Sequence, residues 1–92
     1  MTTSYIKDPA ARLDYTWDWT LWLADAGDTI SSATVLVPEG LTAVGAPVVD
    51  GAFVTQRVEG GTVGATIKMV CQITTIGGLI DERSMDLTIM ER

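Results

Sequence analysis

Apolar and polar residues alternate with a period of two along most of the chain, with many β-branched residues and frequent glycines between the runs. That is the pattern of short, half-buried strands. It is sharpest over 13–19, where Leu13, Tyr15, Trp17 and Trp19 alternate with Asp14, Thr16 and Asp18. Successive side chains on a strand point to opposite faces, so the aromatics share one face and the acids the other. Trp22 and Leu23 then close over the strand end before a turn at 25–28. A second strand is expected over 29–37, stopping at Pro38, and a third, weaker one over about 41–49. A fourth covers 52–58, between the turn at Asp50-Gly51 and that at Glu59-Gly60-Gly61. The last third predicts a hairpin of strands 65–75 and 79–90 around Ile76-Gly77-Gly78. In it Ile67, Met69, Cys71 and Ile73 face one way, opposite to Lys68, Gln72 and Thr74. On the return strand Met85, Leu87 and Ile89 alternate with Ser84, Asp86 and Thr88.

No long segment has helical periodicity, and no internal repeat is present. The expected fold class is therefore all-β: a single antiparallel β-sandwich of about 6–7 strands. Residues 1–12 read as an extended N-terminal arm, since Pro9 blocks regular helix and biases Asp8 towards extended backbone. The sandwich is expected over 13–92. A chain of 92 residues has room for one core and buries somewhat more than about 60% of its unfolded surface.

Trp17, Trp19 and Trp22 are the only tryptophans. They suit three uses: a core face, a protein interface, or a stacking platform for sugar or nucleic acid. A sugar platform needs exposed rings with polar residues between them on the same face, and here the polar partners point away. A nucleic-acid platform needs cations beside its rings, and the neighbours are Asp14 and Asp18. The alternation favours the core, each buried aromatic removing about 150–250 Å² from water. Trp22 stands outside the alternation and is the one that suits an interface.

Charge narrows the partners. Six basic against twelve acidic residues give a net charge of −6. The chain thus lacks the basic patch that nucleic acid requires, and the same sign opposes docking on anionic membranes. The N-terminus has no apolar segment of the secretory kind, and no apolar run reaches the roughly 20 residues that cross a bilayer. Cys71 is the single cysteine, so no internal disulfide forms; its apolar surroundings make it a buried, inert thiol. These features lead us to expect a soluble product of the cytoplasm.

Catalytic chemistry is hard to assemble. Without histidine there is no Ser-His-Asp or Cys-His arrangement and no His-based metal site. Gly60-Gly61-Thr62-Val63-Gly64 lacks the Lys-Ser/Thr of a phosphate loop and leads into a strand. Asp25 and Asp28 lack the spacing of a calcium loop and read as turn residues. Asp81 and Glu82, adjacent on a strand, point to opposite faces and cannot flank one glycosidic bond. No catalytic residue, cofactor or metal is expected. Two stretches, 29–37 and 40–49, carry no charge at all, and together with a mean hydropathy of +0.26 they favour surface hidden against a partner.

Lys7-Asp8-Pro9, Leu13-Asp14-Tyr15, Asp18-Trp19, Trp22-Leu23 and Gly27-Asp28-Thr29-Ile30 resemble the N-terminal signature of small immunoglobulin-like virion proteins of tailed bacteriophages. Gly60-Gly61, Gly64, Cys71, Ile73-Thr74-Thr75, Gly77-Gly78 and Asp81-Glu82-Arg83-Ser84 resemble their closing hairpin. The resemblance runs from about 5 to 90. It implies an Ig-like sandwich and a structural role without chemistry, either as capsid cement (a decoration protein) or as a fibre–tail adaptor. The implied partners are other virion proteins, either the major capsid protein or tail and fibre proteins, with the chain a homo-oligomer on the particle. The alternative reading is a carbohydrate-binding Ig-like module of a host-recognition apparatus. The interface residues expected from the arm and the strand end are Tyr5, Lys7, Arg12 and Trp22.

Overall fold

The computed structural model describes residues 3–91. Positions 1 and 2 of the expected arm and position 92 of the expected sandwich lie outside the described residues. The alternation at 13–19 becomes strand β2 (Arg12–Asp18), with Tyr15 and Trp17 buried on it and Trp19 just beyond its end. The other strands are β1 (Thr3–Lys7), β3 (Ile30–Leu36), β4 (Thr42–Ala43), β5 (Val48–Asp50), β6 (Phe53–Glu59), β7 (Thr66–Thr75) and β8 (Ile80–Ile89).

They form two sheets, ordered β1-β8-β7-β3 and β2-β6-β4, with β5 also paired to β6. The consecutive strands β2 and β3 lie in different sheets, as do β6 and β7. That exchange between sheets is the arrangement of an Ig-like sandwich. The core lies between the sheets. Val54 and Val58 come from β6, Ile67, Met69, Cys71 and Ile73 from β7, and Met85, Leu87 and Ile89 from β8. The all-β sandwich, its strand boundaries and its inward faces thus follow the alternation.

Three features depart from it. Residues 3–7, expected as an arm, are β1, which runs parallel to β8 in register from Thr3↔Met85 to Lys7↔Ile89. The sheet is therefore mixed, not wholly antiparallel, and Arg12 already belongs to β2. Lys7 ends this strand opposite Ile89 with its side chain turned inward: it is fully buried, and its Nζ donates to the carbonyls of Gly60 at 2.7 Å and Asp8 at 2.8 Å.

The second departure is a short helix, α1 (Thr20–Ala26), which carries the chain from the end of β2 towards β3 in the other sheet. Asp18 accepts the Thr20 N–H at 2.9 Å, and the helix stops at Gly27, whose backbone is left-handed at φ 64°. It buries Leu23 and sets Trp22 edge-on against Trp19, with ring centroids 5.7 Å apart. The third departure is at 41–49, which splits into β4 and β5 at Gly45-Ala46-Pro47; the proline has no N–H to give to a ladder.

Between β6 and β7, Gly61 adopts φ +115° and lies against Ile89, where a Cβ would meet the isoleucine Cδ1 at 2.8 Å. Glycine is thus required there both by conformation and by space. Across the sheets, Arg83 on β8 reaches Trp19: its guanidinium lies 4.5 Å from the ring centroid and donates to the Asp18 carbonyl at 2.8 Å.

Two outcomes follow from this packing. Trp19→Ala removes a fully buried indole and is expected to cost about 3–5 kcal/mol, read as a shift of the denaturant midpoint. Deleting residues 1–8 removes the β1 ladder and the buried Lys7, so it should lower the midpoint as well. A truncated chain as stable as the full one would show that β1 is dispensable.

Candidate interaction surface

The four residues expected at an interface are not all brought together. Lys7 is enclosed, and burial pushes its ammonium below the usual lysine range while Asp8 and Glu59 pull it back up. Arg12 is exposed on β2 and binds Glu59, with Nε to Oε2 at 2.9 Å and Nη2 to Oε2 at 2.7 Å. Lys7 and Arg12 therefore meet at one corner, on Glu59 and Gly60, but only Arg12 is on the surface. Tyr5 is 43% exposed and tilts against Tyr15, ring centroids 5.6 Å apart. Trp22 lies beyond the other end of β2, partly buried against the core.

The exposed face of β2 and β6 satisfies itself across the ladder. Arg12 opposes Glu59, Asp14 opposes Arg57 and Thr16 opposes Thr55. Arg57 Nε lies 2.8 Å from Asp14 Oδ1, and the two threonine hydroxyls are 2.8 Å apart. The hydrogen bond from Arg57 holds the Asp14 carboxyl below the usual carboxylate range. Surface pairs of this kind add little stability, but they leave few polar groups for a partner.

The opposite end of the sandwich differs. Leu21, Val49, Phe53, Ile76, Leu79 and Ile80 are all exposed there. A groove of about 730 Å³ runs among α1, the segment leading into β3 and the β5–β6 turn, lined by Leu23, Ala24, Ile30, Val49, Ala52 and Ile76. Asp28 lines it too and fixes the β7–β8 turn to this end, accepting the Gly77 N–H at 3.2–3.3 Å. Beside the groove starts β3, which among the described residues pairs only with β7 and forms an outer edge of its sheet. Sequence reasoning missed this groove because its walls come from four separate stretches. The signal that pointed towards it was the uncharged run at 29–37.

Trp17 and Trp19 are 5% and 0% exposed, so neither ring offers a stacking face. Cys71 is likewise enclosed: burial pushes its thiol up to about 11, with the Trp19 indole and Arg83 acting weakly in the other direction. Among the described residues, no group of three His, Cys, Asp or Glu side chains is placed to hold a metal ion, and no helix is long and apolar enough to cross a membrane.

These features define an Ig-like sandwich whose distinctive surface is apolar and lies at one end and one edge. Its family is shown by sequence: residues 7–88 match the model of the podophage GP4 fiber-tail adaptor protein gp77 family, and the chain belongs to that family. It is thus a structural protein of tailed phage particles, as the resemblance implied. No curated protein matches the chain.

Cys71 generates a pH dependence. Its folded pKa lies above the unfolded value of 9.0, at about 11, so the folded state holds the proton longer. Stability from this group is fully present below pH 9 and is lost as pH rises towards 11. Lys7, shifted down, contributes a slope of the opposite sign in the alkaline range. Comparing the chain with Cys71→Ala between pH 8 and pH 11 isolates the cysteine: the variant should lose stability less steeply. Equal slopes would mean that the thiol ionises as readily folded as unfolded.

Proposed function

We propose that the chain is a non-enzymatic connector that fixes a fibre to the tail of a podophage-type particle, touching tail and fibre proteins and no nucleic acid or membrane. The family match over residues 7–88 carries this reading. The structure supports it: the chain offers a rigid sandwich with an apolar groove and a sheet edge, surfaces suited to holding protein segments. Several copies act on each particle, arranged as a homo-oligomer by the symmetry of the tail, after synthesis in the cytoplasm of the host. Tyr5, Arg12 and Trp22 are secondary contacts at the margins, while Lys7 serves the fold. The sugar-binding alternative loses its main argument, because the rings it needs are in the core.

A connector works by mass action, since binding only the assembled site stabilises the junction without any chemical step. Immunogold labelling of intact particles with antibody against this chain tests the assignment. Gold confined to the tail and fibre bases is the expected result. Gold spread over the heads would make the chain capsid cement instead, and unlabelled particles from a lysate that contains the chain would remove it from the virion.

A further inference from the structure

We infer that β3 is a docking edge that accepts an extended segment of a neighbouring virion protein as an added strand, the segment being uncharged and β-branched along its length and carrying Lys or Arg at both ends. This inference rests on the connector reading and specifies how the chain grips its partner.

The edges of the two sheets are defended unequally. Unpaired N–H and C=O groups on an edge strand invite another strand, and proteins commonly block this with charge, proline, shortness or an inward charged residue. The edge at β1 is short, turns Lys7 inward and is followed by Pro9. The edge at β2 carries Arg12, Asp14 and Asp18, the first two in cross-strand ion pairs. On the far side of that sheet, β4 has 2 residues and β5 has 3, separated by Pro47. Among the described residues only β3 is a long, unblocked edge: its 7 residues, Ile-Ser-Ser-Ala-Thr-Val-Leu, contain no charge and no proline. A bulge between Ile30 and Ser32 is its one irregularity. On its outer face Thr34 and Leu36 are exposed, Leu36 by 62%.

Charge identifies the occupant. The uncharged run is bracketed by Asp28 before β3 and Glu39 after it. At the Ile30 end, Asp28 lines the apolar groove, and Asp25 and Asp50 adjoin residues that line it. A second copy of this chain fits poorly. Two β3 strands paired antiparallel, with Ala33 opposite Thr34, would set Asp28 of each against Glu39 of the other, and like charges facing across a ladder are destabilising. A strand with a cation at each end meets a carboxylate at each end of β3. An apolar side chain near one of its ends can enter the groove beside Ile30 and Ile76.

The experiment uses particles assembled without this chain, to which the purified chain is added back. The unaltered chain should bind. Thr34→Lys combined with Leu36→Lys, both at exposed positions, should leave the thermal midpoint unchanged and weaken binding by roughly tenfold or more. Ser4→Lys, on the opposite edge of the same sheet, should bind like the unaltered chain. Amide hydrogen exchange of bound chain should show new protection at 30–36. Glu39→Gln should weaken binding and reduce its salt dependence.

Full binding by the double lysine variant, or protection at β1 instead of β3, overturns the inference while leaving the connector reading intact. Sedimentation that shows a dimer of the unaltered chain and a monomer of the double variant would assign the edge to a second copy and also overturn it. Failure of the unaltered chain to bind overturns the connector reading itself, and this inference with it.

Discussion

The sandwich depends on the burial of two tryptophans, Trp17 on the inward face of β2 and Trp19 just beyond its end, where β2 forms an edge of its sheet. β2 has only β6 beside it, so its inward residues must also close the side of the core, and small residues there would leave it open. Large indoles do both. The burial has a cost: among the described residues the Trp17 indole N–H finds no hydrogen-bond acceptor, and that of Trp19 has at most the weakly accepting Cys71 sulfur. An unsatisfied buried donor costs about 1–3 kcal/mol. Removing about 200 Å² of aromatic surface from water contributes about 5 kcal/mol per ring, so burial wins. The surrounding structure follows from this choice: Arg83 covers Trp19 from the opposite sheet, and α1 folds back to place Trp22 against the Trp19 ring.

The same economy governs the polar side chains. Lys7 is buried with two carbonyl acceptors, and Gln56 is buried with its Nε2 donating to Gly45 and Arg57 carbonyls at 3.1 and 2.9 Å. Each joins segments far apart in sequence or fixes a loop against a strand. The carboxylates stay outside. Asp14, Asp18 and Asp28 are all held below the usual carboxylate range by hydrogen bonds, from Arg57, Thr20 and Thr29 respectively. The stability they contribute is present at neutral pH and is lost as pH falls below the ordinary aspartate range.

Most of the strands and nearly all of the core were legible in the sequence, because a sandwich with one buried face writes its register as alternation. Leu13 shows the limit of that rule: it shares the face of Tyr15 but is 40% exposed, since it sits at the open end of an edge strand. β1 was illegible for a different reason. Its inward position is a lysine, which reads as solvent-facing, and a parallel pairing between the first and last strands leaves no local signal. The helix α1 spans 7 residues, too few turns for a 3.6-residue period to stand out. The interaction surface was half legible. The uncharged run at 29–37 marked β3, whereas the groove is made by elements distant in sequence. Trp17 and Trp19 are legible as core because they share the alternation of 13–19, whereas Lys7 lies outside any alternation and its residue type points to the surface.

Recognition through a strand edge also explains why so small an acidic domain can connect other proteins. Main-chain hydrogen bonds are supplied by the backbone of β3, so they require no side chain to leave the core and no loop to become ordered. A domain with few residues to spare gains from this, because every side chain committed to a partner is one fewer holding the sheets together. Backbone pairing alone is indifferent to sequence and direction, however. Carboxylates at 28 and 39, with a groove only at the Ile30 end, break that symmetry: the charges select a partner basic at both ends, and the groove selects which end lies beside α1. The buried tryptophans serve the fold and the flanking acids serve selectivity, with Asp28 serving both, since it also fixes the β7–β8 turn.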